Sequence, residues 1–167
     1  MRFKLLISFA LVVAAVAAQA QPLEERMRTA AAAYEHKDYA TAVAIWRPLA
    51  EQGNAEAQTL LGAMYWSGDG LPRNHAEAAK WYLRAAQQGY ARAQNDIGFM
   101  YGFGEGIPSR DDVQAYKWIS LAITHYTAKN QDRLDQAMKD RATLKARMTA
   151  AQLAQAEREI STWKPSH

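Results

Sequence analysis

Apolar residues recur at intervals of three and four along most of the chain, and no segment shows the strict alternation of a half-buried strand. This spacing places apolar side chains on one face of a helix, and the frequent alanines favour the same element. Glycines and prolines cluster between these segments, where they end helices. The pattern predicts helices near Leu23–His36, Asp38–Gln52, Ala55–Trp66, Asn74–Gln88, Ala91–Gly102, Asp111–Thr127 and Asp132–Arg147, and a last helix from Thr149 to about Trp163.

The pattern also repeats itself. Residues 57–65 (AQTLLGAMY) return 36 positions later at 93–101 (AQNDIGFMY), and the following helix returns at a spacing of 37. The extra residue falls in the loop before the second copy of that helix, so it leaves both helices intact. The structural positions that the repeat predicts are Leu61, Gly62, Tyr65, Gly68, Gly70 and Trp81 in the first copy, and Ile97, Gly98, Tyr101, Gly104, Gly106 and Trp118 in the second.

These positions have a packing explanation. Small residues such as Gly62 and Gly98 let helix axes approach closely, and the large ones fill the space between helices. A unit of this kind buries its apolar face only against neighbouring units, as in a solenoid. The second copy departs from the first at its end, where Gly89 has no glycine counterpart at His125.

The pattern A-x-x-x-L-G-x-x-Y-x-x-G-x-G-(L/I)-P, followed by a helix with A-x-x-W, resembles the Sel-1-like repeat, a relative of the tetratricopeptide repeat. The resemblance implies an all-α, right-handed solenoid of antiparallel helix pairs. It divides residues 21–128 into a degenerate first unit (22–53) and two complete repeats (54–89 and 90–127). C-terminal capping helices over 129–167 are expected to follow.

The last helix carries the clearest signals of the capping segment. Thr149 with Gln152 three residues later forms a capping-box motif at its start. Its apolar side is predicted to seal the last repeat. An amphipathic helix lying on a membrane is the alternative, although Glu157 and Glu159 disfavour an anionic surface. The sealing positions are Leu153, Ala156, Ile160 and Trp163.

The first 20 residues carry a different pattern. A short basic start, Arg2 to Lys4, precedes an uncharged apolar run over residues 5–18, and Ala18 to Ala20 form an A-x-A motif. This order predicts a secretory signal peptide over residues 1–20. An uncleaved anchor helix is the alternative, but the run is shorter than the ~20 residues of a membrane span. We therefore expect export to the periplasm, with release outside the cell as the alternative.

Composition narrows the possible chemistry. The net charge of +3 falls to +1 when Arg2 and Lys4 are removed with the signal peptide, so a basic surface for nucleic acid is not expected. The sequence contains no cysteine, which excludes disulfides, a thiolate nucleophile and cysteine-bound metal. Once the signal peptide is cleaved, no stable membrane insertion is expected.

No group of residues has the spacing of a catalytic or metal site. The four histidines lie far apart in sequence, and the glycine-rich segment 102–106 lacks the preceding strand and the Gly-Lys-Ser/Thr of a phosphate loop. We therefore expect a protein that is not an enzyme and that needs no cofactor or metal. An enzyme acting on cell-envelope polysaccharide or peptidoglycan is a less favoured alternative, because it would need an acid pair in a cleft.

Residues that the repeat does not require are the candidates for binding. By analogy with tetratricopeptide arrays, the first helix of each pair lines a concave face. Trp66 stands where the second copy has Gly102, and Phe99 stands where the first copy has Ala63. Exposed aromatic residues would anchor a peptide in this groove, whereas the alternative for Trp66 is packing on a neighbouring helix. The predicted partner-binding residues are Thr59, Trp66, Arg92, Asn95, Phe99 and Phe103.

The resemblance and these residues together imply a non-catalytic scaffold or adaptor that binds a segment of a protein partner in its concave face. The sequence does not identify the partner. The alternative role is a secreted factor that acts on host cells or on neighbouring bacteria.

Overall fold

The computed structural model describes residues 21–166, and the signal peptide predicted over residues 1–20 lies outside this range. The described residues form eight α-helices and a short 3-10 helix (Ala128–Asn130), with no strand among them. The all-helical prediction is therefore confirmed, with helix bounds within two residues of those expected. The helices are α1 (Leu23–Glu35), α2 (Tyr39–Glu51), α3 (Ala55–Ser67), α4 (His75–Gln87), α5 (Ala91–Phe103), α6 (Asp112–His125), α7 (Gln131–Arg147) and α8 (Ala150–Thr162).

The chain divides into two compact units, the first ending at Ile45 and the second beginning at Trp46. In the first unit a tight turn joins α1 to α2, and Lys37 adopts a positive φ of 61° there. Asp38 Oδ1 accepts a hydrogen bond from the Thr41 amide at 3.2 Å, which satisfies a free N–H at the start of α2. Hydrogen bonds from Thr41 lower the pKa of Asp38.

The second unit contains two helix pairs that pack through equivalent residues. A Cβ atom at Gly62 of α3 would lie 3.0 Å from the Tyr82 ring of α4, and one at Gly98 of α5 would lie 2.7 Å from a side chain of α6. Each glycine therefore lets the two helices of its pair approach more closely than a larger residue would allow. Leu61 and Ile97, beside these glycines, are both buried, which confirms the predicted equivalence of the two repeats.

The loops that close the two pairs are equivalent as well. The amides of Asn74 and Asp111 donate to main-chain carbonyls near the ends of α3 and α5, at 2.8 and 2.9 Å. The side chains of the same two residues then cap α4 and α6. The four glycines predicted as structural loop positions all have a positive φ, which explains why glycine stands there. They are Gly68, Gly70, Gly104 and Gly106.

The large structural residues lie where the repeat predicts them. Trp81 and Trp118, on the second helix of each pair, are buried. Tyr65 and Tyr101, near the ends of the first helices, are half-buried and pack against the core.

A buried glutamine joins successive helices in each repeat. Gln58 and Gln94 donate to carbonyls of α2 and α4 at 3.0 and 3.1 Å. Gln88 donates to the Gln58 side-chain oxygen at 2.8 Å, and His125 Nδ1 contacts the Gln94 oxygen at the same distance. Since an amide oxygen only accepts, the histidine nitrogen is the donor. Gln88 and His125 thus make equivalent contacts in the two repeats, at a spacing of 37 residues. The predicted alignment of His125 with Gly89, at a spacing of 36, was wrong.

The last two helices each pack against α6. The predicted capping box of Thr149 and Gln152 is present at the start of α8. The apolar side of α8 is used inside the protein: Ala156 is fully buried, and the Trp163 ring meets the Trp118 ring edge-on at 6.3 Å. Leu153 and Ile160 pack on the same core. Within residues 21–166, no helix is long and apolar enough to cross a membrane.

Ion pairing holds α8 against α6. Glu159 accepts hydrogen bonds from Lys117 at 3.0 Å and from Gln114 at 2.8 Å. Burial opposes ionisation of this carboxyl, but the hydrogen bonds from Lys117, Gln155 and Gln114 lower the pKa of Glu159 below its ordinary value. The ionised form is therefore the one that fastens the two helices.

Candidate partner-binding surface

Three aromatic side chains of α3 and α5 meet on the surface of the second unit. The ring centroids of Trp66 and Phe99 are 6.2 Å apart in an edge arrangement, and those of Phe99 and Phe103 are 4.4 Å apart. Phe99 is 42% exposed and Phe103 is 63% exposed. We call Trp66, Phe99 and Phe103 the aromatic strip.

The spacing of α5 explains why two phenylalanines remain outside. This helix buries Ala93, Ile97 and Met100, which follow one another at intervals of four and three. Phe99 and Phe103 lie four residues apart on another side of the helix. The first repeat has alanine and serine at the equivalent positions 63 and 67. Repeat packing therefore does not require an aromatic residue at either place.

Trp66 is held more firmly than its two neighbours. Its half-buried ring stacks on His75 at the start of α4, with centroids 4.2 Å apart and an interplanar angle of 12°. The packing alternative is therefore confirmed for Trp66, while its role in binding a partner stays a prediction. Sequence reasoning gave His75 no role. The available signal was that Trp66 and His75 depart from the repeat together, because the second copy has Gly102 and Asp112 in their places.

A pocket of about 300 Å³ lies beside the strip. It brings together four of the six predicted partner-binding residues, and a fifth, Phe103, lines a smaller pocket of about 110 Å³ between α5 and α7. Sequence reasoning missed three residues of the larger pocket, because burial and chain folding decide their contribution. The larger pocket is lined by Trp66, Tyr82, Arg92, Asn95, Asp96, Phe99 and Met100.

The sixth predicted residue, Thr59, does not face a partner. It is fully buried, and its hydroxyl donates to the Ala55 carbonyl at 2.8 Å. Its placement on the binding face was wrong, although it occupies the same repeat position as Asn95, which does line the pocket.

Asp96 dominates the electrostatics of the larger pocket. Its side chain is only 24% exposed, and its nearest ion-pair contact, to Arg92 Nε, is 3.9 Å. That distance is too long for a hydrogen bond. Burial raises the pKa of Asp96 from 3.8 to about 6, although Arg92 and Arg133 act in the opposite direction. The pocket thus contains a carboxylate whose charge is incompletely compensated.

Asp112 is surrounded very differently beside the smaller pocket. It accepts paired hydrogen bonds from Arg110 at 2.8 and 2.9 Å, and from Arg147 at 2.6 and 3.0 Å. Arg147 also donates to the Gly102 carbonyl, at 3.3 Å, so it links the ends of α5 and α7 to the start of α6. The hydrogen bonds from Arg110 and then Arg147 lower the pKa of Asp112.

The described residues contain no cluster of three or more histidine, aspartate or glutamate side chains that could hold a metal ion. The larger pocket and the aromatic strip offer aromatic rings, a carboxylate, an amide and the guanidinium group of Arg92. Such groups bind a ligand through apolar contact and hydrogen bonds.

Comparison with known proteins identifies two segments that match one family model. Residues 55–90 and 91–125 each match the family described as Sel1 repeat. A protective antigen present in uropathogenic Escherichia coli strains, displaying an SLR fold, is 29% identical with a TM-score of 0.73, over 87% of this chain and 30% of that one. A Sel1 repeat protein from Oxalobacter formigenes is 27% identical with a TM-score of 0.58, over 81% of this chain and 61% of that one.

The chain therefore spans less than two thirds of the length of either solved relative. No functionally curated protein matches it significantly. The structural matches confirm the predicted all-α solenoid of helix pairs.

Proposed function

The chain contains two segments that match the Sel1 repeat, and from this premise we propose that it acts as a non-catalytic adaptor that binds a segment of a protein partner on the aromatic strip. Sel1 repeats are typical of scaffolds for protein–protein interaction. The observation that carries the proposal is the exposure of Phe99 and Phe103, which contact each other at positions where the repeat has no need of an aromatic residue. Clustered exposed aromatic residues are enriched at interfaces.

The proposed place of action is outside the cytoplasm. The signal-peptide pattern of residues 1–20 supports export, and the periplasm is the compartment we favour. A secreted factor that acts on host or neighbouring cells is the second candidate, since one solved relative is described as a protective antigen. Separating periplasm from culture medium and locating the protein in each fraction distinguishes the two.

The adaptor role is tested by crosslinking in the intact cell envelope, followed by mass spectrometry of the captured proteins. The test variant replaces Phe99 and Phe103 with alanine. We expect it to lose the partners captured by the wild-type protein, because the apolar contact area of the strip is gone.

The matched control is Met138→Ala, which removes an apolar side chain that is 48% exposed on α7 and does not line either pocket. Both variants should keep the wild-type helical content by circular dichroism. Partner capture that survives in the double variant, with the fold intact, would show that the strip is not the binding surface.

A further inference from the structure

Polar groups without partners gather around Asp96. Arg92 Nε, Asn95 Oδ1 and the Tyr126 hydroxyl are buried and have no hydrogen-bond partner within the described chain. The charged and titratable groups that act on Asp96 are Arg92 on its own helix and Arg133 on α7, and Asp96 in turn acts on Tyr126. Buried polar atoms are nearly always hydrogen-bonded, so a concentration of unpaired ones calls for a physical reason.

Two hydrogen-bond acceptors of the pocket lack a close donor, and they belong to the adjacent residues Asn95 and Asp96. Asn95 Oδ1 can only accept, and the Asp96 carboxylate is 3.9 Å from its nearest cation. A group with several N–H donors and a positive charge would satisfy both. The walls of the pocket suit such a group, since they include the aromatic residues Trp66 and Phe99, and aromatic rings attract cations.

Asp112 is a carboxylate of the same protein that accepts hydrogen bonds from two cations. Two guanidinium groups each donate a pair of hydrogen bonds to it. Asp96 has one guanidinium, at a distance too long for a hydrogen bond. A single carboxylate can therefore accommodate two cations in this protein, and Arg92 does not occupy all the acceptor positions of Asp96.

We propose that the pocket beside the aromatic strip binds a basic side chain of the partner segment, with its positive group on Asp96 and Asn95 Oδ1 and its aliphatic stem against Phe99. The inference rests on the proposed function, because it specifies one residue of the segment that the strip holds. The volume of about 300 Å³ is sufficient for a single long side chain.

An acidic side chain of the partner fits the pocket less well than a basic one. An acidic side chain would lie next to the Asp96 carboxylate, and like charges repel strongly at a partly buried site. A neutral apolar side chain would leave Asn95 Oδ1 and Asp96 without donors, and the unpaired polar groups would become still more buried. A basic side chain with apolar neighbours in the same segment would give donors to Asp96 and Asn95 Oδ1 and would cover the strip at the same time.

The experiment selects binders to the purified full chain from a random nine-residue peptide library displayed on phage. Selected peptides are synthesised with lysine and with norleucine, an uncharged residue of similar shape, at each basic position. We expect the wild-type protein to bind the lysine form about 10-fold more tightly. The variant Asp96→Asn should bind the lysine and norleucine peptides about equally. Its affinity for the norleucine peptide should be close to that of the wild-type protein for the same peptide.

The matched control is Glu157→Gln, which removes one negative charge from the exposed side of α8 and should keep the preference for lysine. A second readout is the Asp96 carboxyl resonance, whose midpoint near pH 6 should fall when the lysine peptide binds. Asp96→Asn removes a partly buried charge without changing shape, so we expect it to fold.

The outcomes separate the two proposals. This inference is overturned if the selected peptides require Phe103 but show no preference for a basic residue. It is also overturned if Asp96→Asn keeps the preference for lysine. Either result leaves the adaptor role in place. A selection in which no peptide depends on Phe99 or Phe103 counts against the strip itself, and against this inference with it.

Discussion

Asp112 and Asp96 both lie in the second unit and have opposite surroundings. Asp112 is held by Arg110 and Arg147 in four hydrogen bonds of 2.6 to 3.0 Å. Asp96, in the pocket beside the aromatic strip, approaches Arg92 no closer than 3.9 Å at the ion-pair contact. The first carboxylate is a structural fastener between three helices. The second is buried at a cost that folding alone does not recover.

The difference favours the pocket around Asp96 over the surroundings of Asp112 as the proposed binding site. Four hydrogen bonds to Asp112 fix the end of α7 against the start of α6, so this carboxylate has no free acceptor position for a ligand. The pocket around Asp96 retains unpaired polar atoms and exposed aromatic rings. Incomplete pairing in a rigid setting is characteristic of functional sites, where stability is exchanged for interaction with something else.

The two carboxyls also respond to pH in opposite directions. Hydrogen bonds from Arg110 and Arg147 lower the pKa of Asp112, so its stabilising contribution is present above the ordinary value of 3.8 and is lost as the pH falls below it. Burial raises the pKa of Asp96 to about 6. The folded protein therefore favours the protonated form of Asp96. The contribution of this group to the free energy of unfolding is largest below pH 3.8 and declines as the pH rises to about 6.

The largest expected effect comes from breaking the fastener. Asp112→Ala leaves two guanidinium groups without their acceptor and removes a carboxylate whose side chain is only 13% exposed. We expect the free energy of unfolding to fall by about 2–3 kcal/mol in urea titrations at pH 7. Asp132→Ala, an exposed acid in the first turn of α7, should change it by less than about 0.5 kcal/mol. A similar loss in both variants would mean that Asp112 has no special role.

Removing the charge of Asp96 should have a smaller effect of opposite sign. We expect Asp96→Asn to raise the free energy of unfolding by about 1–2 kcal/mol at pH 7, where the wild-type carboxyl is ionised. The gain should shrink toward pH 4, where the wild-type carboxyl is protonated in the folded protein. Paired urea titrations at the two pH values measure this, and a gain that is equal at both would contradict the raised pKa.

A conservative change at Arg147 tests how much the paired hydrogen bonds to Asp112 contribute to stability. Arg147→Lys keeps the positive charge and loses the two-pronged geometry on Asp112, so we expect a loss of about 1 kcal/mol. Lys145→Arg, near the same end of α7, adds no such geometry and serves as the control. Thermal unfolding of both variants gives the comparison. Full stability in Arg147→Lys would show that charge alone holds the joint.

The smallest effect on stability is expected at the strip. Phe103→Ala removes a side chain that is 63% exposed, so the free energy of unfolding should change by no more than about 0.5 kcal/mol. The same variant should lose affinity for selected peptides, since the removed ring is a contact surface. A stability loss above about 1 kcal/mol would mean that Phe103 belongs to the core.

Most of the helical framework was predictable because two copies of the repeat report the same physical requirements. Gly62 and Gly98 meet side chains and carbonyls of the partner helix at equivalent places, so a small residue is needed at both. Positions at which one copy departs from the other were the best guide to the candidate site, and Trp66 and Phe99 were selected in this way. The boundaries proposed for the first unit and the capping segment remain predictions.

The binding surface was less predictable, as two equivalent residues show. Thr59 and Asn95 occupy the same repeat position, yet Thr59 is fully buried and Asn95 lines the pocket. Periodicity identifies the side of a helix on which a residue lies, but it contains no information about what covers that side. The pairing of Trp66 with His75 and the burial of Asp96 were missed for the same reason, since each depends on a neighbouring helix.

The sequence by itself determined the helices, the glycine turns and the class of repeat, because these depend on interactions within about 40 residues of chain that occur twice. Only the tertiary structure decided which side chains remain open and which polar groups lack partners. Those properties arise where α3, α4, α5 and α7 come together. The free energy of a buried carboxylate such as Asp96 depends on that assembled environment, and no local pattern encodes it.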